Sequence, residues 1–329
     1  MHRAFHSRAL QPAGLATLLI ATALAGTHLA SARPPDAHNA APIGPMPLSP
    51  PGEMIAPESD AQPTSAPSET NARTETSAPV VSVSVARETS GGLHVLMIGN
   101  SYTMHHTLHV MLQRVAAGVP GGTPLIVDAE AHGGYSLRNH LHNGQALARI
   151  RNGHYTHVVL QGHSLSAIDH PDQLAADAER FKQAIDASSA RTVFYETWAR
   201  SPEARLYATS KIAHSFAEMT SLVDAAYFGL SQRLGAGIAP VGRAFERALV
   251  QHPNLALWGS DGSHPTVAGS YMAACVLYGA LTGADPRASA YVPNELSSAD
   301  AAQIREIAAE SLQEIKTPAP LIAASASLL

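Results

Sequence analysis

Cysteine is nearly absent: the chain has one, Cys275, in 329 residues. No internal disulfide can form, and no cysteine cluster is available to bind a metal. Cys275 lies in the apolar, helix-patterned stretch "GSYMAACVLYGAL" and reads as a small buried hydrophobe rather than a thiol nucleophile. Charge is also scarce: charged residues make up 14%, and the formal net charge of -5 gives no reason to expect nucleic acid as a partner. Beyond the N-terminal segment no apolar run reaches the length of a membrane span.

What the N-terminal third does contain is distinctive. "MHRAFHSRALQPAGLATLLIATALAGTHLASA" opens with Arg3 and Arg8, continues apolar from about Leu15 to Ala25, and ends in Ala30-Ser31-Ala32. A basic start, a short apolar core and a small-x-small end predict a secretory signal peptide over 1–32, and hence an exported, periplasmic or secreted bacterial protein. Residues 33–90 are rich in Pro, Ala, Ser and Thr without a sustained apolar period, which predicts a disordered linker. Within it only "VVSVSVA" alternates like a strand. A flexible C-terminal tail is expected over 317–329.

From Leu93 onward, short apolar runs alternate with longer amphipathic ones. Strands are expected at Leu93–Ile98, Leu125–Asp128, His157–Gln161, Thr192–Glu196 and, weakly, Gly237–Pro240. Helices are expected over Met104–Gly118, Ser136–Arg151, Asp172–Ser188, Glu203–Leu234, Val241–Gln251, Thr266–Thr282 and Ser297–Glu314. Strand–helix alternation implies right-handed crossovers and a parallel sheet covered on both faces. The all-apolar "HVLMI" and "HVVL" suit strands buried on both sides. The expectation is one three-layer α/β/α domain over 91–316, with its chemistry at the carboxyl ends of the strands.

Those ends read "GNSYT", "EAHGGYSL", "QGHSLSA" and "ETWAR", followed later by "WGSDGSHPTVAGSY". Asp261 and His264 stand just before a helix with Pro265 near its start, so Asp261 or Ser263 could simply cap that helix. On a strand-end loop, however, the acid would fix the tautomer of His264 and make it a general base for a serine hydroxyl. Ser101 is equally two-sided, an N-cap and a nucleophile at the positive end of its helix, and the two roles are expected together. Gly133-Gly134 allow a tight turn that presents a backbone N–H, and the Gln161 amide could offer another donor. Together with the Ser101 N–H these would make an oxyanion hole, whose single donors are each worth about 3 kcal/mol of transition-state stabilisation.

In order and spacing over 93–283, these blocks resemble the SGNH (GDSL-like) hydrolase superfamily, and "IGNSYT", "VVLQGHS" and "DGSHPTVAGSYMAACVLYGALTG" resemble a bacterial branch of it. The resemblance implies a flavodoxin-like α/β/α fold and ester hydrolysis through an acyl-enzyme. Carried over by position, Ser101 is the nucleophile, His264 the base and Asp261 its orienting acid. The N–H groups of Ser101 and Gly134, with an amide side chain, form the oxyanion hole. Two departures stand out. The common first block is Gly-Asp-Ser, and here Asn100 replaces the acid. The common third block is Gly-x-Asn-Asp, and here Gln161-Gly162-His163-Ser164 takes its place, as in the carbohydrate O-acetylesterase branch, where a glutamine takes the role of that asparagine.

Other readings compete. "GHSLS" at 162–166 approaches a Gly-x-Ser-x-Gly elbow around Ser164 but ends in Ser166. The 18 histidines include His105 and His109 at helical spacing and the neighbours His140 and His142, yet there is no His-Glu-x-x-His, so neither a metal nor any other cofactor is expected. Asn100, Tyr102, Tyr135, His163 and Trp198 are candidates to line a substrate pocket, and His105 and His106 lie close by. The expected function is an exported serine esterase that removes an acetyl group from a carbohydrate or cell-envelope polymer. Export on a disordered tether, the Gln-for-Asn block and the lack of a long apolar lid point that way. A lipase, thioesterase or O-acyltransferase with the same triad is the alternative within enzymes, and a non-catalytic carbohydrate-binding module the alternative outside them. The expected partner is a small-molecule or polysaccharide ester.

Overall fold

The computed structural model describes residues 91–316. The expected signal peptide, linker, "VVSVSVA" strand and C-terminal tail lie outside the described residues. In chain order the elements are β1 (Leu93–Gly99), α1 (Ser101–Met104), α2 (Leu108–Ala117), β2 (Leu125–Ala131), α3 (Leu137–Asn143), α4 (Gln145–Asn152) and β3 (His157–Leu160). They continue with α5 (Ser166–Asp169), α6 (Pro171–Ala187), β4 (Arg191–Tyr195), α7 (Leu206–Thr209) and α8 (Phe216–Leu234). The last are β5 (Gly237–Ala239), α9 (Val241–Gln251), α10 (Val267–Thr282) and α11 (Ser298–Lys316).

All neighbouring strands pair in parallel, in the order β2-β1-β3-β4-β5. Alternation along each strand divides the core into two layers. Val95, Met97, Val159 and Val193 pack with α2, α9, α10 and α11 on one face. Leu96, Ile98, Val158, Leu160 and Phe194 pack with α3, α4, α6 and α8 on the other. This is the expected three-layer α/β/α sandwich. Helix α10 is apolar all round because α2, α9, α11 and the sheet enclose it, and Cys275 sits within it. Burial pushes the Cys275 thiol up to about 12, so it stays protonated and unreactive.

Two expected long helices are interrupted. The one over Ser136–Arg151 breaks at Gly144, which caps α3 in the left-handed conformation at φ +76°. The one from Glu203 restarts at Ser215, whose hydroxyl accepts the Glu218 N–H and caps α8. Between α1 and α2 the chain passes through left-handed His106 and Thr107, which a helical period cannot anticipate. Strand β2 runs three residues past its expected end, carrying Glu130 into the sheet edge.

Among the described residues, one acid is buried without a cation bonded to its carboxylate. Glu196, at the end of β4, is 1% exposed and accepts the Arg243 N–H. Burial, reinforced by the charge of Asp224, raises its pKa from 4.5 to about 8, against the pull of the Arg243 N–H and guanidinium. Folding therefore takes up a proton between pH 4.5 and about 8, and the stability that Glu196 leaves intact at low pH is lost as pH rises through that window. Glu196→Gln should remove this dependence. In thermal melts from pH 4 to 9 the variant should match wild type at pH 4 and gain on it steadily from about pH 5, by on the order of 4 kcal/mol at pH 8. Parallel wild-type and variant curves across the range would show that Glu196 is charged in the fold.

Candidate active site

The chain leaves β1 for β2 on one side and returns to β3 on the other, so the sheet's topological switch point lies between β1 and β3, where open α/β sheets form a crevice. Ser101 begins α1 directly beyond β1. Asn100, not Ser101, is the N-cap: its Oδ1 accepts the Tyr102 N–H at 3.1 Å. The Ser101 hydroxyl is thereby left for another partner, the His264 ring. Ser101 Oγ lies 2.9 Å from His264 Nε2, and His264 Nδ1 lies 2.5 Å from Asp261 Oδ2. The other Asp261 oxygen accepts the N–H groups of Ser263 and His264 at 2.9 and 3.0 Å. Burial pushes the Asp261 carboxyl up, but the His264 imidazole and these two N–H groups outweigh it and hold the pKa at about 2. A carboxylate can only accept, so Nδ1 carries the proton and Nε2 turns its lone pair to Ser101.

The loop that carries Asp261 and His264 is tied down by two tryptophans. Trp198 Nε1 donates to the Ser263 carbonyl and Trp258 Nε1 to the Ala199 carbonyl, both at 3.0 Å. Trp258 also bridges to Pro265, and the Gly259 N–H donates to the His264 carbonyl at 2.8 Å. Trp198 is 1% exposed and stacked between Tyr102 and Phe245, with ring centroids 4.4 and 4.3 Å away. The expectation that Trp198 lines the pocket is therefore corrected: it is a buried support for the loop. The ring of His105 stacks on His264 at 4.6 Å. Burial, followed by the neighbouring His264 charge, lowers the His105 pKa, which favours its neutral form.

Gln161 also departs from expectation. Its Oε1 accepts the Asn100 N–H and the Thr103 hydroxyl, each at 3.0 Å. Its Nε2 donates to Asn100 Oδ1 at 3.0 Å and to the Gly162 carbonyl at 2.5 Å. At 1% exposure, with both N–H groups spent, it has no donor to offer an oxyanion. It buttresses Asn100 instead. A side chain at Gly99 would collide with Thr103 and Gln161, so this close approach demands glycine.

The cavity beside Ser101, about 390 Å³, is lined by Asn100, Tyr102, Gly133, Gly134, His163, Ser164, Arg200, Ser263 and His264. Gly134 turns at φ +72°, and neither its N–H nor that of Ser101 bonds to another described residue. These two backbone donors remain for an oxyanion. Tyr102 reaches the cavity through its hydroxyl, which meets Ser263 Oγ at 2.9 Å. Tyr135 does not line it: its ring lies against His132 and His140, and its carbonyl accepts from Asn100 Nδ2 at 3.0 Å. Ser164 does, but its hydroxyl accepts from Arg200 at 2.9 Å and no histidine nitrogen serves it as a base.

Arg200 is the residue that sequence reasoning missed. Its guanidinium bonds Tyr102, Ser263 and Ser164, joining three walls of the cavity. The only sign of it was its place in the strand-end block "ETWAR".

No protein-family model and no curated protein matches the chain. Solved structures do. A protein from Slackia heliotrinireducens described as an SGNH hydrolase is 26% identical over 58% of this chain and 100% of its own, with a TM-score of 0.52. A DUF4886 family protein from Bacteroides uniformis is 20% identical over 69% of this chain and 96% of its own, with a TM-score of 0.57. Fold and site together define the SGNH (GDSL-like) class of serine hydrolase. It is the class that the sequence blocks resemble.

The Asn100–Gln161 network makes a stability prediction. Gln161→Ala strands the buried Asn100 N–H and the Thr103 hydroxyl and opens a cavity, so unfolding free energy should fall by roughly 3 kcal/mol in chemical denaturation. If Gln161 were instead an exposed donor into the pocket, stability would hold and only activity would drop.

Proposed function

We propose that this chain is an exported esterase that removes an acetyl group from a carbohydrate or cell-envelope polymer through an acyl-enzyme on Ser101. The observation that carries the reading is the unbroken chain Asp261–His264–Ser101, with contacts of 2.5 and 2.9 Å and the proton fixed on Nδ1. His264 Nε2 takes the Ser101 proton as Oγ attacks the ester carbonyl. The Ser101 and Gly134 N–H groups face the resulting oxyanion, and Asp261 stabilises the imidazolium. His264 then gives the proton to the leaving alcohol. Water, activated by the same nitrogen, releases the acetate and restores Ser101.

The substrate class rests on different support. The cavity's side chains are polar (Asn100, His163, Ser164, Arg200, Ser263), and at about 390 Å³ it suits a small acyl group better than a long chain. No described helix is long and apolar enough to cross a membrane. Export is supported by the basic start, short apolar core and Ala-Ser-Ala end of the first 32 residues.

Purified full-chain protein should hydrolyse p-nitrophenyl acetate faster than the palmitate. Ser101→Ala should lower kcat/KM by about 10³-fold or more with an unchanged circular-dichroism spectrum. A preference for long acyl chains would favour a lipase, and acyl transfer to an added sugar in preference to water would favour an acyltransferase. Wild type and variant equally inactive across an ester panel would leave a non-catalytic binding module as the better account.

A further inference from the structure

A second cluster of chemistry-bearing side chains sits behind the wall that presents Gly134. Glu130 is near the end of edge strand β2, His132 two residues on, and His140 on α3. One ligating atom from each lies within 4.8 Å of the other two. None of the three lines the cavity beside Ser101.

Hydrogen bonds orient the donor atoms of the cluster. His140 is 1% exposed, and its Nε2 is 2.7 Å from the Gly99 carbonyl. A carbonyl can only accept, so Nε2 bears the proton and the lone pair is on Nδ1, which bonds to no other described residue. A histidine whose second nitrogen donates to a backbone carbonyl is the usual outer support of a metal ligand. Glu130 is supported in the same way: its Oε2 takes Arg149 at 3.3 Å, leaving Oε1 facing His132 Nε2 at 2.8 Å. The Arg149 charge is itself answered by Asp128 at 3.2 Å, so the carboxylate of Glu130 remains to balance a cation.

We propose that Glu130, His132 and His140 bind one divalent transition-metal ion, with zinc as the best match. Two imidazoles and one carboxylate form a borderline donor set that suits zinc and its neighbours rather than magnesium or calcium. The ion enters where the His132 proton now bridges to Glu130. That proton moves from Nε2 to Nδ1 of the same ring, so binding requires no net proton release from His132. A tetrahedral zinc places its ligand atoms about 3.4 Å apart, so His132 Nε2 and Glu130 Oε1, now at 2.8 Å, must part by roughly half an ångström while the longer separations, up to 4.8 Å, close. The His132 side chain, 41% exposed, is free to make that move. Three protein ligands leave a fourth position for water. Because the His132 N–H and His140 Nε2 both donate to the Gly99 carbonyl, the ion would clamp the Gly133–Gly134 turn to the end of β1.

The test uses the full chain, stripped with a chelator and titrated with zinc chloride by calorimetry. One ion per chain should bind with a micromolar or tighter Kd. His132→Ala and Glu130→Gln should each weaken it at least tenfold, whereas His142→Ala, two residues beyond His140 on α3 and exposed, should leave it unchanged. Both informative variants alter partly exposed or isosteric groups, and unaltered melting curves in chelator would show that they fold. Cobalt in place of zinc should give the visible absorption of a four-coordinate site, lost in His132→Ala. No stoichiometric binding by the wild type, or equal affinity in His132→Ala, overturns the proposal.

Discussion

The arrangement depends most on the pair of buried amides that joins the ends of β1 and β3. Asn100 and Gln161 exchange hydrogen bonds in both directions, side chain to side chain and backbone to side chain. The switch point of the sheet is the one place where two adjacent strands send their chains apart, so backbone groups just beyond their ends must find other partners. Gln161 accepts the N–H of Asn100, just beyond β1, and Asn100 then caps α1. Only because that cap is already filled does Ser101 present its hydroxyl outward. The Ser101 hydroxyl is thus positioned by an interaction in which it takes no part.

The opposite side of the cavity is built by other means. His264 and Asp261 come from one short loop, and their spacing alone lets them meet. That local relation was legible in "DGSH", because three residues suffice to fold the acid back on the ring and on two N–H groups. The tryptophans that hold the loop were not. Nothing in the type of residue says whether Trp198 faces a sugar or a core; that follows from Phe245 on α9 and Tyr102 on α1 closing on its two faces. Gln161 misled for a related reason. An amide that is a donor in sequence has no donors left once two acceptors, Asn100 Oδ1 and the Gly162 carbonyl, have claimed them.

Strands and layers were legible because burial on both faces leaves an unmistakable apolar run. Helix ends were less so. The break at Gly144 was signalled by the glycine itself, whereas the left-handed turn at His106 and Thr107 follows from packing that the local residues do not encode. The extension of β2 matters most for chemistry. With Glu130 in the strand, Glu130 and His132 fall at i and i+2 and share the face toward α3 and α4. Pairing His140 with His142 looked along the helix for a partner, but the partners of His140 come from the sheet edge.

Asn100, where an acid is usual in this class, has a physical explanation in the same network. Its Oδ1 accepts two N–H groups, from Tyr102 and Gln161, which a carboxylate would do equally well. Its Nδ2, however, faces the carbonyls of Tyr135 at 3.0 Å and Gly162 at 3.4 Å. A carboxylate oxygen there would meet two acceptors in a site 2% exposed. The asparagine also links the three strand ends: through Tyr135 it holds the turn bearing Gly134, and through Gly162 it holds the end of β3. Geometry that an acid could impose only on the helix is imposed here on the helix and both neighbouring loops. Gln161 is spent wholly within this network, and the donors left unpaired at the cavity wall among the described residues include the backbone N–H groups of Ser101 and Gly134.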